Sequence, residues 1–204
     1  MRQYFNRRGF SIVEVLVVVA IASIVVLVVG NFSANVGGLD NLLSQDLQSK
    51  SDINQILDTA AQEIRSAAPS AAGAYAIDSA GTSSFSFYSD INQLGVTDRV
   101  RYFLASSSFE KGVIVPTGTP AVYATSSEVV TDLIDNVVVG TSTSLFSYYD
   151  NSYTGTQAPL AQPVSIASIR LVQISFLTVG NASRTSAPQS FSILAALRNL
   201  KSNQ

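Results

Sequence analysis

The chain contains no cysteine and no histidine. Without cysteine no disulfide can staple the fold, and no thiolate nucleophile or thiolate metal ligand exists. Without histidine the usual general base and the commonest metal ligand are missing. A Ser-His-Asp triad, a cysteine nucleophile and a zinc site of the usual ligand types are therefore excluded by inventory. Charge is sparse: Asp, Glu, Lys and Arg together make 13% of the residues, and the formal net charge is −2. No basic run follows Arg8, so a broad nucleic-acid-binding patch is not indicated. Serine, threonine and alanine are abundant instead, which suits an exported, β-rich surface more than a cytoplasmic enzyme. Asp/Glu chemistry is the one enzymatic route left, and the expectation is a protein that is not an enzyme.

What is present is concentrated at the start. The stretch Arg7-Arg8-Gly9-Phe10-Ser11-Ile12-Val13-Glu14 runs straight into an apolar block in which Val15 to Val29 carries no charge and Ser23 is the one polar side chain. From Phe10 to Val29 the chain is long enough to cross about 30 Å of hydrocarbon as a helix. A secretory signal has a shorter apolar core followed by a small-residue cleavage site, and no such site follows here. A plain transmembrane anchor accounts for the length and the basic flank. It does not account for Gly-Phe at the boundary or for Glu14, because a carboxylate within a membrane-length segment costs several kcal/mol unless partnered.

These residues resemble the N-terminus of type IV pilin precursors and of the pseudopilins of type II secretion, whose short basic leader ends in Gly, followed by Phe and by a Glu at the fifth mature position. The resemblance implies a leader over residues 1–9, cut between Gly9 and Phe10 by a membrane-bound prepilin peptidase, with N-methylation of Phe10. Losing Arg2, Arg7 and Arg8 would take the formal side-chain charge from −2 to −5. The resemblance further implies that Glu14 pairs with the free N-terminal amine of a neighbouring subunit. That fits the energetics, since a buried acid and a buried amine are each costly alone and less so together. The implied partners are the peptidase, other pilin or pseudopilin subunits and the cytoplasmic membrane. The N-terminus would lie inside, by the basic bias before the span, and the C-terminal domain outside, later in an extracellular or periplasmic filament. No cofactor is expected.

Beyond residue 30 the uniform apolar run gives way to Leu39, Leu42, Leu43, Leu47, Ile53, Ile56, Leu57, Ala60, Ile64 and Ala67, one face of an amphipathic helix. The segments are a transmembrane and assembly helix over 10–30, an amphipathic helix over 31–68, and a β-rich globular domain over 69–204. Pro69 stops the helix. Gly30 and Gly37-Gly38 suggest a turn, or a bend or melted segment within it. Alternation at Ser84–Tyr88 and Arg99–Leu104 across a polar loop reads as a hairpin. Shorter strands are expected at 112–115, 121–124 and 145–149, with an ambiguous helical turn or bent strand at 129–139. The strongest strands lie at 168–179 and 190–197. The fold class is α+β: a long N-terminal helix packed through its second half on an antiparallel sheet. Gln62-Glu63-Ile64-Arg65, Leu133-Ile134-Asp135-Asn136-Val137, Leu145 to Asp150, Ile169 to Ile174 and Leu197 to Leu200 resemble segments of the J-type minor pseudopilins and W-type minor pilins, which implies a minor, tip-proximal subunit.

One further motif stands apart. Asp90, Asn92 and Gly95 match the first, third and sixth places of a calcium loop, with Asp98 as an alternative ligand. Leu94 fails the fifth place, and Arg101 stands where a closing Glu belongs. The same residues read equally as a hairpin turn rich in Asn, Asp and Gly. Arg99 and Arg101 are expected to meet Asp90 or Asp98, and Glu63 and Arg65 to be surface or cap-proximal charges. Tyr148, Tyr149 and Tyr153 read as core packing or as contact anchors. Two functions remain in view: a structural pilus or pseudopilus subunit, and a membrane-anchored binding module, such as an adhesin or DNA-uptake component, with a pilin-like anchor.

Overall fold

A computed structural model describes residues 11–140, 143–179 and 188–198, and the side chains of all of these except 31–46. It divides into two compact units, Met1–Ser51 and Asp52–Gln204. Helix α1 (Ile12–Arg65) supplies most of the first and the opening of the second. In the first unit the span Ile12–Gly30 has no buried side chain. Its one neutral polar group is satisfied within the helix, Ser23 Oγ donating to Val19 O at 2.7 Å, as a serine on an apolar helix must. The helical backbone is unbroken through Gly30, Gly37 and Gly38, so the turn and the melted segment suggested by the glycines do not occur. Glycine weakens a helix by only about 1 kcal/mol and keeps its N–H, whereas the first proline in the chain is Pro69.

The second unit begins with the last turns of α1. Leu57, Ala60, Ala61 and Ile64 are buried along one face, continued by Ala67 just past the helix end. They pack in one apolar core with two antiparallel sheets. The first sheet is a meander in sequence order: β1 (Ile77–Ala80), β2 (Ser84–Ser89), β3 (Asp98–Ala105), β4 (Ser108–Ile114) and β5 (Val129–Ile134). The second contains β6 (Val137–Val138), β7 (Phe146–Tyr149), β8 (Leu171–Thr178) and β9 (Gln189–Ala196). Strand β9 pairs along all of β8, so β6 and β7 share the other edge of β8. The sheets meet through Phe146 N donating to Thr82 O and Val137 N to Ser107 O, at 3.0 and 2.7 Å.

A continuous aromatic chain runs through this core. Phe85 and Phe87 lie 5.4 Å apart, Phe87 and Tyr102 6.2 Å, Tyr102 and Phe109 5.5 Å, Phe109 and Phe176 5.8 Å, and Phe176 and Phe191 5.9 Å. Phe85 also reaches Phe146 and Tyr148. These are the separations that offset and tilted ring pairs prefer. The two fully buried tyrosine hydroxyls have partners: Tyr102 Oη donates to Glu63 Oε2 at 2.7 Å, and Tyr148 Oη to Gly81 O at 2.7 Å. Lys111 Nζ donates to the other Glu63 oxygen at 2.5 Å. Burial, then the Glu63 charge, holds the Tyr102 hydroxyl far above its ordinary range, so it stays a donor. Arg65 at the helix end donates to Leu194 O at 3.1 Å. Glu63 and Arg65 thus tie the helix to the two sheets and are not free surface charges.

The hairpin expected between the first two aromatic strands is β2–β3, in the register Phe85↔Tyr102 and Phe87↔Val100. The expected strand at 121–124 is reduced to an isolated bridge, Thr117↔Val122. The ambiguous 129–139 stretch is two strands, β5 and β6, separated by Asn136 in a left-handed conformation (φ 57°). Strand β1 went unread because its four residues, Ile-Asp-Ser-Ala, carry almost no β signature. A single expected sheet proves to be two, since the handover occurs within the short turn between β5 and β6.

Strand β2 is buried from Phe85 to Ser89 on both faces. Strand alternation and register put Phe85, Phe87, Val100, Tyr102 and Asp98 on the helix side, and Ser86, Tyr88, Arg99, Arg101, Gly112 and Ile114 on the other. The connection between β4 and β5 covers this second side. Tyr123 meets Tyr88 edge-on at 5.0 Å. Glu128 takes both arms of Arg101, Oε1 from Nε at 2.8 Å and Oε2 from Nη2 at 2.7 Å, while Arg101 stacks 3.8 Å above the Phe103 ring. Arg99 pairs with Asp78 at 2.9 Å. Neither arginine meets Asp90 or Asp98 as expected, because adjacent residues on a strand face opposite ways.

Gly112 makes the Glu128 contact physically accessible. A Cβ there would fall 2.8 Å from Glu128 Cδ and closer still to Oε1. Gly112→Ala should therefore displace the carboxylate and destabilise the fold by about 1–3 kcal/mol, measured by urea unfolding of the detergent-solubilised chain. A variant as stable as the parent would show that the 115–128 connection tolerates the shift. The pH dependence follows from the same pair. Hydrogen bonding to Arg101 holds the Glu128 carboxyl below its ordinary 4.5, so its contribution is present above that value and is lost as pH falls through and below it. The stability gap between the parent and Glu128→Gln should be widest near neutrality and close toward acid pH in the same unfolding assay.

Candidate functional site

The first candidate site is built on the opening turns of α1. Glu14 lies in the first helical turn, where an acid interacts favourably with the exposed N–H groups and the dipole. Its side chain is exposed, and so are its apolar neighbours: Ile12 is 80% exposed, Leu16 64% and Val26 70%. A run of this length and composition, with none of its surface buried, is far beyond the scattered apolar residues of an ordinary surface. It requires lipid or other helices around it. Gly9 and Phe10 lie outside the described residues.

The second candidate is the β2–β3 loop. Asp90 Oδ1 accepts from Leu94 N at 3.0 Å and Oδ2 from Gly95 N at 2.8 Å. Asn92 Oδ1 also accepts from Leu94 N, at 3.2 Å, and its Nδ2 donates to Asp98 Oδ2 at 3.0 Å. Gln93 and Gly95 both take positive φ, 58° and 79°, so the glycine sits where the turn needs it. The three residues singled out from sequence are thus adjacent in space. Asp98 is buried at 1% exposure, and its Oδ1 has no hydrogen-bond partner. Burial first, then the Asp90 charge, pushes the Asp98 carboxyl above its ordinary range, against a smaller opposing effect of Lys111.

Two cavities of about 320 Å³ lie elsewhere among the described residues. One, lined by Asp52, Gln55, Ile56, Thr59, Tyr102, Lys111 and Leu133, opens between the last turns of α1 and strands β3–β5. The other lies at the outer edge of β7, beside Tyr148, Leu160 and Gln173. Neither lining brings two carboxylates together for acid–base work, and the Lys111 ammonium in the first is committed to Glu63. Tyr148 and Tyr149 are core residues, and Tyr153 stacks on Tyr149 at 4.0 Å. The sequence reading missed Asp78, Lys111 and Glu128 as ion-pair partners. Each is distant in sequence from its partner, and only strand register brings them together.

Residues 4–30 match the prokaryotic N-terminal methylation motif. The match covers the basic stretch, the Gly9-Phe10 junction, Glu14 and the apolar helix. No curated protein matches the chain. The N-terminus is therefore of the prepilin type, and it precedes an α+β layout of one long helix and antiparallel sheet.

Proposed function

We propose that the protein is a structural subunit, most similar in role to the minor components, of a type IV pilus or type II secretion pseudopilus. The observation that supports this is the continuity of the methylation motif with a fully exposed apolar helix. In this reading the precursor inserts with its N-terminus in the cytoplasm. Prepilin peptidase cuts between Gly9 and Phe10 and methylates Phe10. The mature chain leaves the membrane for a filament by exchanging lipid for the helices of neighbouring subunits. Glu14 supplies the register: apolar side chains distinguish poorly between one axial offset and the next, whereas an acid paired with the next subunit's N-terminal amine admits one. The globular unit, with its own core, is carried outside.

Intact mass and N-terminal sequencing of the membrane-extracted protein test processing. The expected product begins at N-methylated Phe10 and disappears in a strain lacking the peptidase; retention of residues 1–9 in both strains would overturn the reading. Assembly is tested separately. Glu14→Leu removes the carboxylate and should leave membrane retention intact or improved, while its recovery in sheared filament fractions falls at least tenfold. Undiminished recovery would show that Glu14 does not set the register, and absence of the parent itself from those fractions would favour a membrane-anchored module.

A further inference from the structure

We infer that the β2–β3 loop is a low-affinity calcium site, with Asp90, Asn92 and Asp98 as its side-chain ligands. The observation that points to a cation is Asp98. Its residue surface is 1% exposed, and one carboxylate oxygen is sealed from solvent with no donor within reach. Buried polar atoms are nearly always partnered, and a buried carboxylate with half its acceptor capacity unused is costly. The Lys111 ammonium, whose charge reaches Asp98, is no remedy, because it is bonded to Glu63. The other acid of the loop, Asp90, adds like charge. The local deficit is therefore of positive charge as well as of a donor, and a bound cation answers both.

The remaining geometry is compatible. Each Asp90 oxygen accepts one backbone N–H, from Leu94 or Gly95, and retains a lone pair. Asn92 presents Nδ2 to Asp98 Oδ2; a half-turn of the amide presents its oxygen instead and gives up the bond from Leu94 N, which Asp90 Oδ1 still accepts. The donors are all oxygen and irregularly spaced, which suits calcium over zinc or magnesium. Leu94 is 76% exposed and contributes no side-chain ligand, and Arg101 is held on the opposite sheet face by Glu128. The rest of the coordination shell then falls to loop carbonyls and water. So few charged ligands put the affinity in the weak range of extracellular modules, about 0.1–1 mM.

The test uses the full chain in detergent micelles, stripped with chelator and dialysed, and follows thermal unfolding with calcium chloride or magnesium chloride added to 10 mM. The parent should melt about 5 °C higher in calcium, with little response to magnesium, and isothermal titration should give one calcium per chain. Asp98→Asn should lose the calcium response while melting no lower than the parent in chelator, since it replaces an unpaired buried charge by a neutral side chain of the same shape. Asp90→Asn should weaken binding at least tenfold, and it decides the matter if the Asp98 variant does not fold. No calcium shift in the parent, an equal magnesium shift, or a full calcium shift in the variants overturns the proposal. These outcomes do not bear on N-terminal processing.

Discussion

The globular unit depends on one steric arrangement: a helix face of small residues laid on a row of aromatic rings. Ala60 and Ala61, with Ala67 beyond the helix end, are fully or nearly fully buried in the same core as the rings. Phe87, Tyr102 and Phe109 belong to that core, rings that carry the contact on into the second sheet through Phe176 and Phe191. A larger side chain at Ala60 or Ala61 would force the helix off the rings, since interiors packed this tightly accept added volume poorly. The polar exceptions follow from the same arrangement. Tyr102 reaches under the helix, so its hydroxyl needs an acceptor there. Glu63 provides it, and Lys111 balances the charge brought in.

The two units solve opposite problems. In the second, apolar side chains are hidden within one core. In the first, Ile12–Gly30 displays them all. The hydrophobic effect does not order that span internally, since none of its surface is buried among the described residues. It is an interface in search of lipid or of neighbouring helices, and its few polar atoms acquire disproportionate weight. Ser23 resolves its hydroxyl within the helix. Glu14 places a carboxyl group on that exposed apolar surface, where burial without a partner is costly.

How much was legible in the sequence varies with the range of the interaction. The helix showed in its periodicity and its end in Pro69, because both are local. The β2–β3 hairpin showed for the same reason: alternation and a polar turn lie within twenty or so residues of each other. The motif around Gly9, Phe10 and Glu14 was legible because its information is spacing alone. The division into two sheets was hidden, since the chain changes sheet within a turn no different in composition from others. The pairing of Arg101 with Glu128 was hidden too. It requires β3, β4 and the 115–128 connection to be in register, and a glycine at position 112 to leave room. The proximity of Asp90, Asn92 and Asp98 was visible as a pattern, but the orphaned oxygen of Asp98 appears only once the strand places that side chain on the helix-facing side.

Arg65 has a consequence for the border of the second sheet that its single hydrogen bond does not advertise. Leu197 N bonds back to Arg170 O on the β8 side, so alternate residues of β9, Leu194 among them, turn their backbone groups outward. Strand β9 is uncharged over its whole length and ends its sheet, the sort of border on which a foreign strand can be templated. The guanidinium of Arg65 occupies the Leu194 carbonyl in the middle of that border. One arginine at the helix end thereby takes up an acceptor that an added strand would need.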